Sequence, residues 1–312
     1  MENFLLSLNI VIPVFLIMGL GYAAKALKWL DDKSAKVMNA LIFKIFLPIL
    51  LCNNIRNADI SKLANPGVFI YVAVGLCVLF GVSMLLMPLF SRDGRRTGVL
   101  VQGICRANYA FLGLPLIAAM FPGQDTSVAS LMVAATVPFY NALSVVALEI
   151  YRGGQIKPGK ILKNIAKNPL IIGCVVGLVL LLAGIKLPMV LDKAMTDVGK
   201  AATPMALFLL GASFSFSAVR GNGRDLSFAV AMKLVIVPLI FVGIALLLGF
   251  REVPLASVLI AFGAPTAVSS FTMAQQMDGD DVLAGQIVVF TTLLSVVSLV
   301  AFIFVFKQMG WL

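Results

Sequence analysis

The sequence predicts an all-α membrane protein of ten transmembrane helices, arranged as two inverted five-helix repeats, and three observations carry that reading. The 312 residues are 61% hydrophobic and 12% charged, with mean hydropathy +1.04; a soluble domain is nearer half apolar and a quarter charged. Apolar stretches of about 20 residues, long enough for a hydrocarbon core about 30 Å thick, follow one another with turn residues between them. Two of them, the fourth and the ninth, are broken near the middle by helix-spoiling residues.

In order, the spans read near 4–27, 34–55, 66–90, 95–121, 126–151, 168–185, 190–217, 226–249, 254–277 and 282–306. Turn signals separate most of them: Asn65-Pro66, Pro122-Gly123, Gly153-Gly154, Pro158-Gly159, Gly221-Asn222-Gly223 and Asp278-Gly279-Asp280. The first run is too long for a signal sequence's apolar core and lacks a basic leader and a cleavage site, so it reads as a retained span. The second and seventh spans carry Lys36, Lys44, Asp192, Asp197 and Lys200. Such mixed helices suit contact with protein or a water-filled cavity more than with lipid.

The chain divides into a first repeat at 1–151, a basic cytoplasmic linker at 152–167 and a second repeat at 168–312. An odd number of spans per half turns the second half upside down. A shift of 156 or 157 residues sets Pro13 beside Pro169, Gly21 on Gly177, Lys44 on Lys200, Pro48 on Pro204, Gly67 on Gly223 and Asn108 on Pro265. The shared Lys-x-x-x-Pro is the most informative match, since two unlike residues recur at one spacing. It assigns Lys44, Pro48, Lys200 and Pro204 paired roles, either structural or lining the pathway.

Basic residues set the orientation. With the N-terminus outside, fourteen fall in inside loops (Lys25 to Lys36, Arg92 to Arg96, Arg152 to Lys167, Arg220 and Arg224). Six fall outside: Arg56, Lys62, Lys186, Lys193, Arg251 and Lys307. The expectation is a multi-pass protein of the cell membrane with both termini outside. The same loops account for the net charge of +10 without nucleic acid as a partner.

Several chemistries are excluded. The chain has no His, so Ser/His proteolysis, His-ligated metals and His proton relays are absent, and Gly211-Ala212-Ser213 reads as a packing patch. The four cysteines lie inside apolar runs without CxxC spacing, which argues against disulfides and zinc. Asp278, Asp280 and Asp281 cluster in one loop, whereas aspartyl catalysis brings two carboxylates together from separate segments. The expectation is no enzyme, no cofactor and no metal.

The breaks carry the chemistry. The fourth span reads Arg106-Ala-Asn108-Tyr109-Ala-Phe-Leu-Gly113-Leu-Pro115, and the ninth reads Gly263-Ala-Pro265-Thr266-Ala-Val268-Ser269-Ser270. In hydrocarbon each unpaired backbone group costs several kcal/mol, so a break persists only against protein or a cavity. Gly113 and Pro115 should stop the first helix, and Pro265 with Thr266 the second. Paired breaks at matching positions point to a secondary transporter's binding site, with Asn108, Tyr109, Thr266, Ser269 and Ser270 as hydrogen-bonding groups. Arg106 is a candidate countercharge for a substrate carboxylate; otherwise it reaches a carbonyl or the cytoplasmic rim. Lys233, one to two turns into its span, is expected to snorkel to the cytoplasmic face, and Glu149 to sit at the interface or, alternatively, to carry a proton. No Asp or Glu stands at either break, so no carboxylate site for Na⁺ and no proton carrier is evident, although carbonyls could form a cation site.

Asn108 to Pro115 and Ala264 to Ser270 resemble the crossover segments of the auxin efflux carrier family, which includes bacterial malate and malonate permease-like members. The resemblance covers the whole chain: ten spans, the central basic loop, and a proline in the second and seventh spans. It implies an inverted-repeat fold like that of bile-acid/sodium symporters, with crossing helices 4 and 9. Helices 1, 2, 6 and 7 would form a scaffold, and helices 3–5 and 8–10 a mobile transport domain. It further implies that Asn108 contacts substrate carboxylate, that Pro265 is the second crossover proline, and that helices 2 and 7 form a homodimer. Ala110 stands where many members have Gly, and the plant carriers' long central loop is nearly absent. The expected function is alternating-access transport of a small organic anion, a mono- or dicarboxylate such as malate, malonate or an auxin-like acid. The expected binding residues are Arg106, Asn108, Tyr109, Gly113, Pro115, Pro265, Thr266, Val268, Ser269 and Ser270. The alternative is a non-transporting membrane sensor that retains the fold.

Overall fold

A computed structural model describes residues 2–57, 66–122, 127–152 and 158–312, and all regular structure among them is helical. The turn signals at Asn65, Gly123, Gly153 and Gly154, and the loop residues Lys62 and Lys157, lie outside the described residues. The helices are α1 (Glu2–Ala26), α2 (Asp32–Arg56), α3 (Pro66–Phe90), α4 (Gly94–Cys105), α5 (Leu114–Met120), α6 (Ser127–Tyr151) and α7 (Pro158–Ala166). They continue with α8 (Pro169–Leu182), α9 (Met189–Ser213), α10 (Ser217–Gly221), α11 (Gly223–Leu247), α12 (Glu252–Gly263), α13 (Ser269–Gln276) and α14 (Asp281–Gln308).

Five segments are long and apolar enough to cross a membrane among the described residues: α2, α3, Leu131–Tyr151 of α6, α11 and α14. Val11–Ala26 of α1, α8 and α12 are shorter apolar helices. Side-chain caps start several of the helices. Asp31 accepts the Ser34 N–H at 3.0 Å, Asn168 the Leu170 N–H at 2.9 Å and Asp280 the Leu283 N–H at 2.9 Å, each satisfying a donor the first turn leaves free.

Among the described residues three turns are widened to π geometry: Ile42–Phe46, Tyr109–Gly113 and Met232–Ile236. Each ends two residues before a proline (Pro48, Pro115, Pro238). The physical reason is local: a proline ring clashes with the carbonyl four residues back, and a π-turn moves that carbonyl aside. Proline alone is not sufficient, because Pro88, Pro138 and Pro204 lie inside regular helices.

Two packing groups follow. In the first, α1 lies along α9 and the C-terminal half of α2 lies along α8. Glycine makes these contacts close. A Cβ on Gly21 would sit 1.9 Å from the Phe208 carbonyl oxygen, and one on Gly211 1.9 Å from that of Met18. Likewise a Cβ on Gly173 would fall 2.5 Å from the Pro48 carbonyl oxygen, and on Gly177 2.8 Å from that of Cys52. Small residues that let backbones touch are the usual device where lipid gives helices no hydrophobic reason to associate. Gly211 and Ala212 therefore belong to a packing seam, while Ser213 is exposed.

The second group gathers α3, α4, α6, α11, α12, α13 and α14. Its interior is dense, with Phe241 of α11 stacked on Phe262 of α12 at 4.1 Å between ring centroids. The groups meet where α14 touches α1 and α9, and where α13 touches α2 and α9.

The central linker is partly helical: α7 packs on α6 and α8. Glu149 is held at this junction by Asn164 and by Arg152, whose Nη1 is 3.6 Å away. The loop aspartates go to separate partners. Arg152 Nε donates to Asp278 at 2.8 Å, Arg96 pairs with Asp280 at 3.1 Å, and Gln275 Nε2 donates to Asp281 at 2.8 Å. No two of them share a proton in this arrangement.

Candidate functional site

The first break lies between α4 and the π-turn, at Arg106–Asn108, and not at Gly113 or Pro115. Gly113 closes the π-turn, and Pro115 is the second residue of α5. This corrects the expectation that those two residues stop the helix: both lie inside the helical run that Tyr109 begins, where the π-turn moves aside the carbonyl that the Pro115 ring would meet. Gly113 has a different reason to be small, since a Cβ there would sit 2.3 Å from Ile260 Cγ2. The second break, Ala264–Val268, falls where Pro265 places it.

Several of the backbone groups that these breaks release find partners from elsewhere in the fold. Pro265 has no N–H for the Ala261 carbonyl, which accepts from Tyr140 Oη at 2.7 Å. The Thr266 N–H, which a continuous helix would send to Phe262, donates to Thr291 Oγ1 at 3.1 Å. The Phe262 carbonyl accepts from Lys233 Nζ at 3.2 Å. The Gly103 carbonyl, in the last turn of α4, accepts from Thr266 Oγ1 at 2.6 Å. Gln102 Nε2 donates to the Ser270 carbonyl at 3.1 Å. The Asn108 N–H donates to the Pro265 carbonyl at 2.8 Å, so the two breaks are bonded to each other backbone to backbone. This is how irregular backbone survives away from water.

A cavity of about 270 Å³ opens beside this junction. One wall is the first break, the second break and α6, through Arg106, Asn108, Tyr140, Asn141, Val268 and Ser269; the other, from α2, α8 and α9, is largely apolar but also carries Asn54 and Thr203. Arg106 is the charged residue among its described lining and is only 4% exposed. Its Nη2 donates to Asn141 Oδ1 at 2.8 Å and Ser269 Oγ at 2.6 Å, and its Nη1 contacts Met273 Sδ. Arg106 thus stays buried and donates to side chains, with no backbone carbonyl among its described partners. It is held by neutral acceptors, a guanidinium that no carboxylate neutralises among the described residues.

Of the expected binding residues, the structure brings Arg106, Asn108, Tyr109, Val268 and Ser269 to the cavity wall. Gly113, Pro115, Pro265, Thr266 and Ser270 do not line it; Pro265, Thr266 and Ser270 are buried behind it and Pro115 is exposed. Lys44, Lys200 and Pro204 are exposed on the outside of α2 and α9, and Pro48 is half-buried against Gly173. None of the four reaches the cavity. Lys233 does not snorkel: it is fully buried. Tyr140 and Asn141 were not anticipated. A signal existed, since a polar residue in an apolar run is a functional candidate in its own right.

The sequence profile of a family described as Membrane transport protein matches residues 6–303. A Methanothermobacter thermautotrophicus protein named "Uncharacterized transporter" is 25% identical over 301 residues, covering 95% of this chain and 97% of that one. A Rhizobium meliloti protein named "Putative malonate transporter" is 25% identical over 313 residues, covering 96% of each. The Escherichia coli K12 "Uncharacterized transporter YfdV" is 22% identical over 282 residues, covering 86% of this chain and 87% of its own. The family and these relatives are transporters, not enzymes, and the apolar helices are those of a multi-pass protein in a lipid bilayer. The chain belongs to this family of membrane transport proteins, the auxin efflux carrier family.

Proposed function

We propose that the protein is a secondary transporter that moves a small organic anion, a mono- or dicarboxylate, by alternating access at the cavity beside the two breaks. The observation that carries this reading is Arg106, a buried guanidinium on the cavity wall whose described partners are all neutral. A carboxylate entering there exchanges neutral acceptors for a charged one, and charge-assisted hydrogen bonds are about twice as strong as neutral ones. Asn108, Asn141 and Ser269 stand within the same wall to orient it. Malonate, named for the Rhizobium meliloti relative, is the first candidate, and malate and auxin-like acids are of the same class.

We further read the chain as two inverted repeats, 1–151 and 168–312, with both termini outside and the linker 152–167 on the cytoplasmic side. Support comes from a reciprocal packing pattern. Gly21 of α1 abuts α9, and Gly177 of α8, its counterpart in the repeat, abuts α2. The first packing group, α1, α2, α8 and α9, corresponds to the scaffold, and the second to the transport domain. In this reading the cavity lies between them.

The test is counterflow of labelled malonate and malate in proteoliposomes, beside a thermal-shift screen of organic acids. A carboxylate-specific shift that Arg106→Gln abolishes is the expected result. Equal uptake and an equal shift in wild type and variant would sink the assignment of the site.

A further inference from the structure

Lys233 is the one described lysine with no exposed surface, and the site above makes no use of it. It lies in the π-turn Met232–Ile236 of α11, a turn that packs on α4, α12 and α14. Its Nζ donates to the Phe262 carbonyl at 3.2 Å, in the last turn of α12 just before the second break. Among the described residues no Asp or Glu is buried, and Lys233 takes part in no ion pair. The countercharge it faces is therefore the carbonyl end of a helix. Such an end carries roughly half a negative charge, and in broken-helix transporters half-helix carbonyl ends are where monovalent cations are coordinated.

We propose that the Lys233 ammonium is a tethered cation for the carbonyl end of α12, so that the second break keeps its shape without recruiting a free one. Two features of the site favour this. The Phe262 carbonyl is deprived of its helical donor because the Thr266 N–H is committed to Thr291 Oγ1. The widened turn ahead of Pro238 displaces the helix locally at the position that carries Lys233. The first break is arranged differently: Arg106 directly follows the last residue of α4, but its guanidinium goes to Asn141 and Ser269, and the Gly103 carbonyl accepts from Thr266 Oγ1. The two cations differ in access, since Arg106 lines the cavity and Lys233 does not.

The experiment uses the full purified chain. Its first arm, the melting temperature, does not depend on the transport reading; its second arm, uptake, does. Wild type should melt at the same temperature in sodium, potassium or N-methylglucamine chloride. Lys233→Ala removes the ammonium and leaves room, so its melting temperature should drop and recover saturably with methylammonium or sodium, as a ligand that binds only the folded state requires. Lys233→Met fills the space with an apolar chain and should show no recovery. Uptake by Lys233→Ala should become dependent on the same cations, whereas wild-type uptake should not. A wild-type melting temperature that rises specifically with sodium overturns the proposal. So does a Lys233→Ala protein that no small cation restores. If Lys233→Ala cannot be purified, cation dependence of wild-type melting decides alone. If the melting arm succeeds while no substrate is taken up, it is the transport reading that fails.

Discussion

The two breaks solve one problem in different ways. At the second, Ala264–Val268, the freed carbonyls are closed off by buried groups of the same bundle: Tyr140 on Ala261 and Lys233 on Phe262. The segment is buried from Ala264 to Val268. At the first, Arg106–Asn108, the Gly103 carbonyl and the Asn108 N–H are satisfied by residues of the second break. There Arg106 and Asn108 keep side-chain polar groups at the cavity. The second break is thus a template and the first is the face it presents. A site of this kind needs one segment rigid enough to position the other, because a binding group must be held by residues that are themselves locked.

Three measurements break or sharpen that comparison. The largest effect is expected from Pro265→Ala. It restores an N–H that competes with Tyr140 for the Ala261 carbonyl and allows α12 to run on, so uptake should fall by at least about tenfold, roughly 1.4 kcal/mol of lost binding or transition free energy. Pro115→Ala, at an exposed position of α5 that does not line the cavity, should keep uptake within about twofold, a few tenths of a kcal/mol. Equal losses in the two variants would remove the distinction between them.

Next comes Thr266→Val, which preserves shape and removes the donor to the Gly103 carbonyl. A buried acceptor left alone costs about 1–3 kcal/mol, to be read as a lowered midpoint in chemical unfolding. Because Thr266 does not line the cavity, the preference among organic acids should stay the same. A changed preference would place Thr266 at the ligand and not behind it.

The smallest effect belongs to Ala110→Gly, in the first break's π-turn. Glycine gives up more backbone freedom on folding, so a loss of about 0.5–1 kcal/mol is expected. The same change at Ala267, in the second break, is expected to cost less, since that residue lies in no helix and no helical turn is lost. A larger loss at Ala267 would reverse the ranking of the two breaks by regularity.

Much of the helix plan was legible beforehand, because apolar length and turn residues are local properties. The span read at 66–90 coincides with α3, and most of the others differ from their helices by a few residues at each end. The second break was legible for the same reason, since Pro265 lacks an N–H wherever the chain goes. The first was misplaced by several residues. Gly113 and Pro115 look like breakers, but Gly113 is small to admit Ile260 and Pro115 is accommodated by the π-turn before it. Lys233 was misread as a snorkelling residue. Its distance along the span allows that course, and only the packing of α4, α12 and α14 around it forbids it.

By itself the sequence determined a helical membrane protein of a transporter family, because hydrophobic length, punctuation and motif spacing depend only on neighbours along the chain. The tertiary structure decided which polar groups meet. Arg106 with Asn141 and Ser269, the Asn108 N–H with Pro265, and Lys233 with Phe262 join residues 29 to 163 positions apart. The physical reason is that a backbone group with no water must find its partner wherever the fold brings one. Which side chain is near enough is a property of the packed helices, and not of the order in which residues are written.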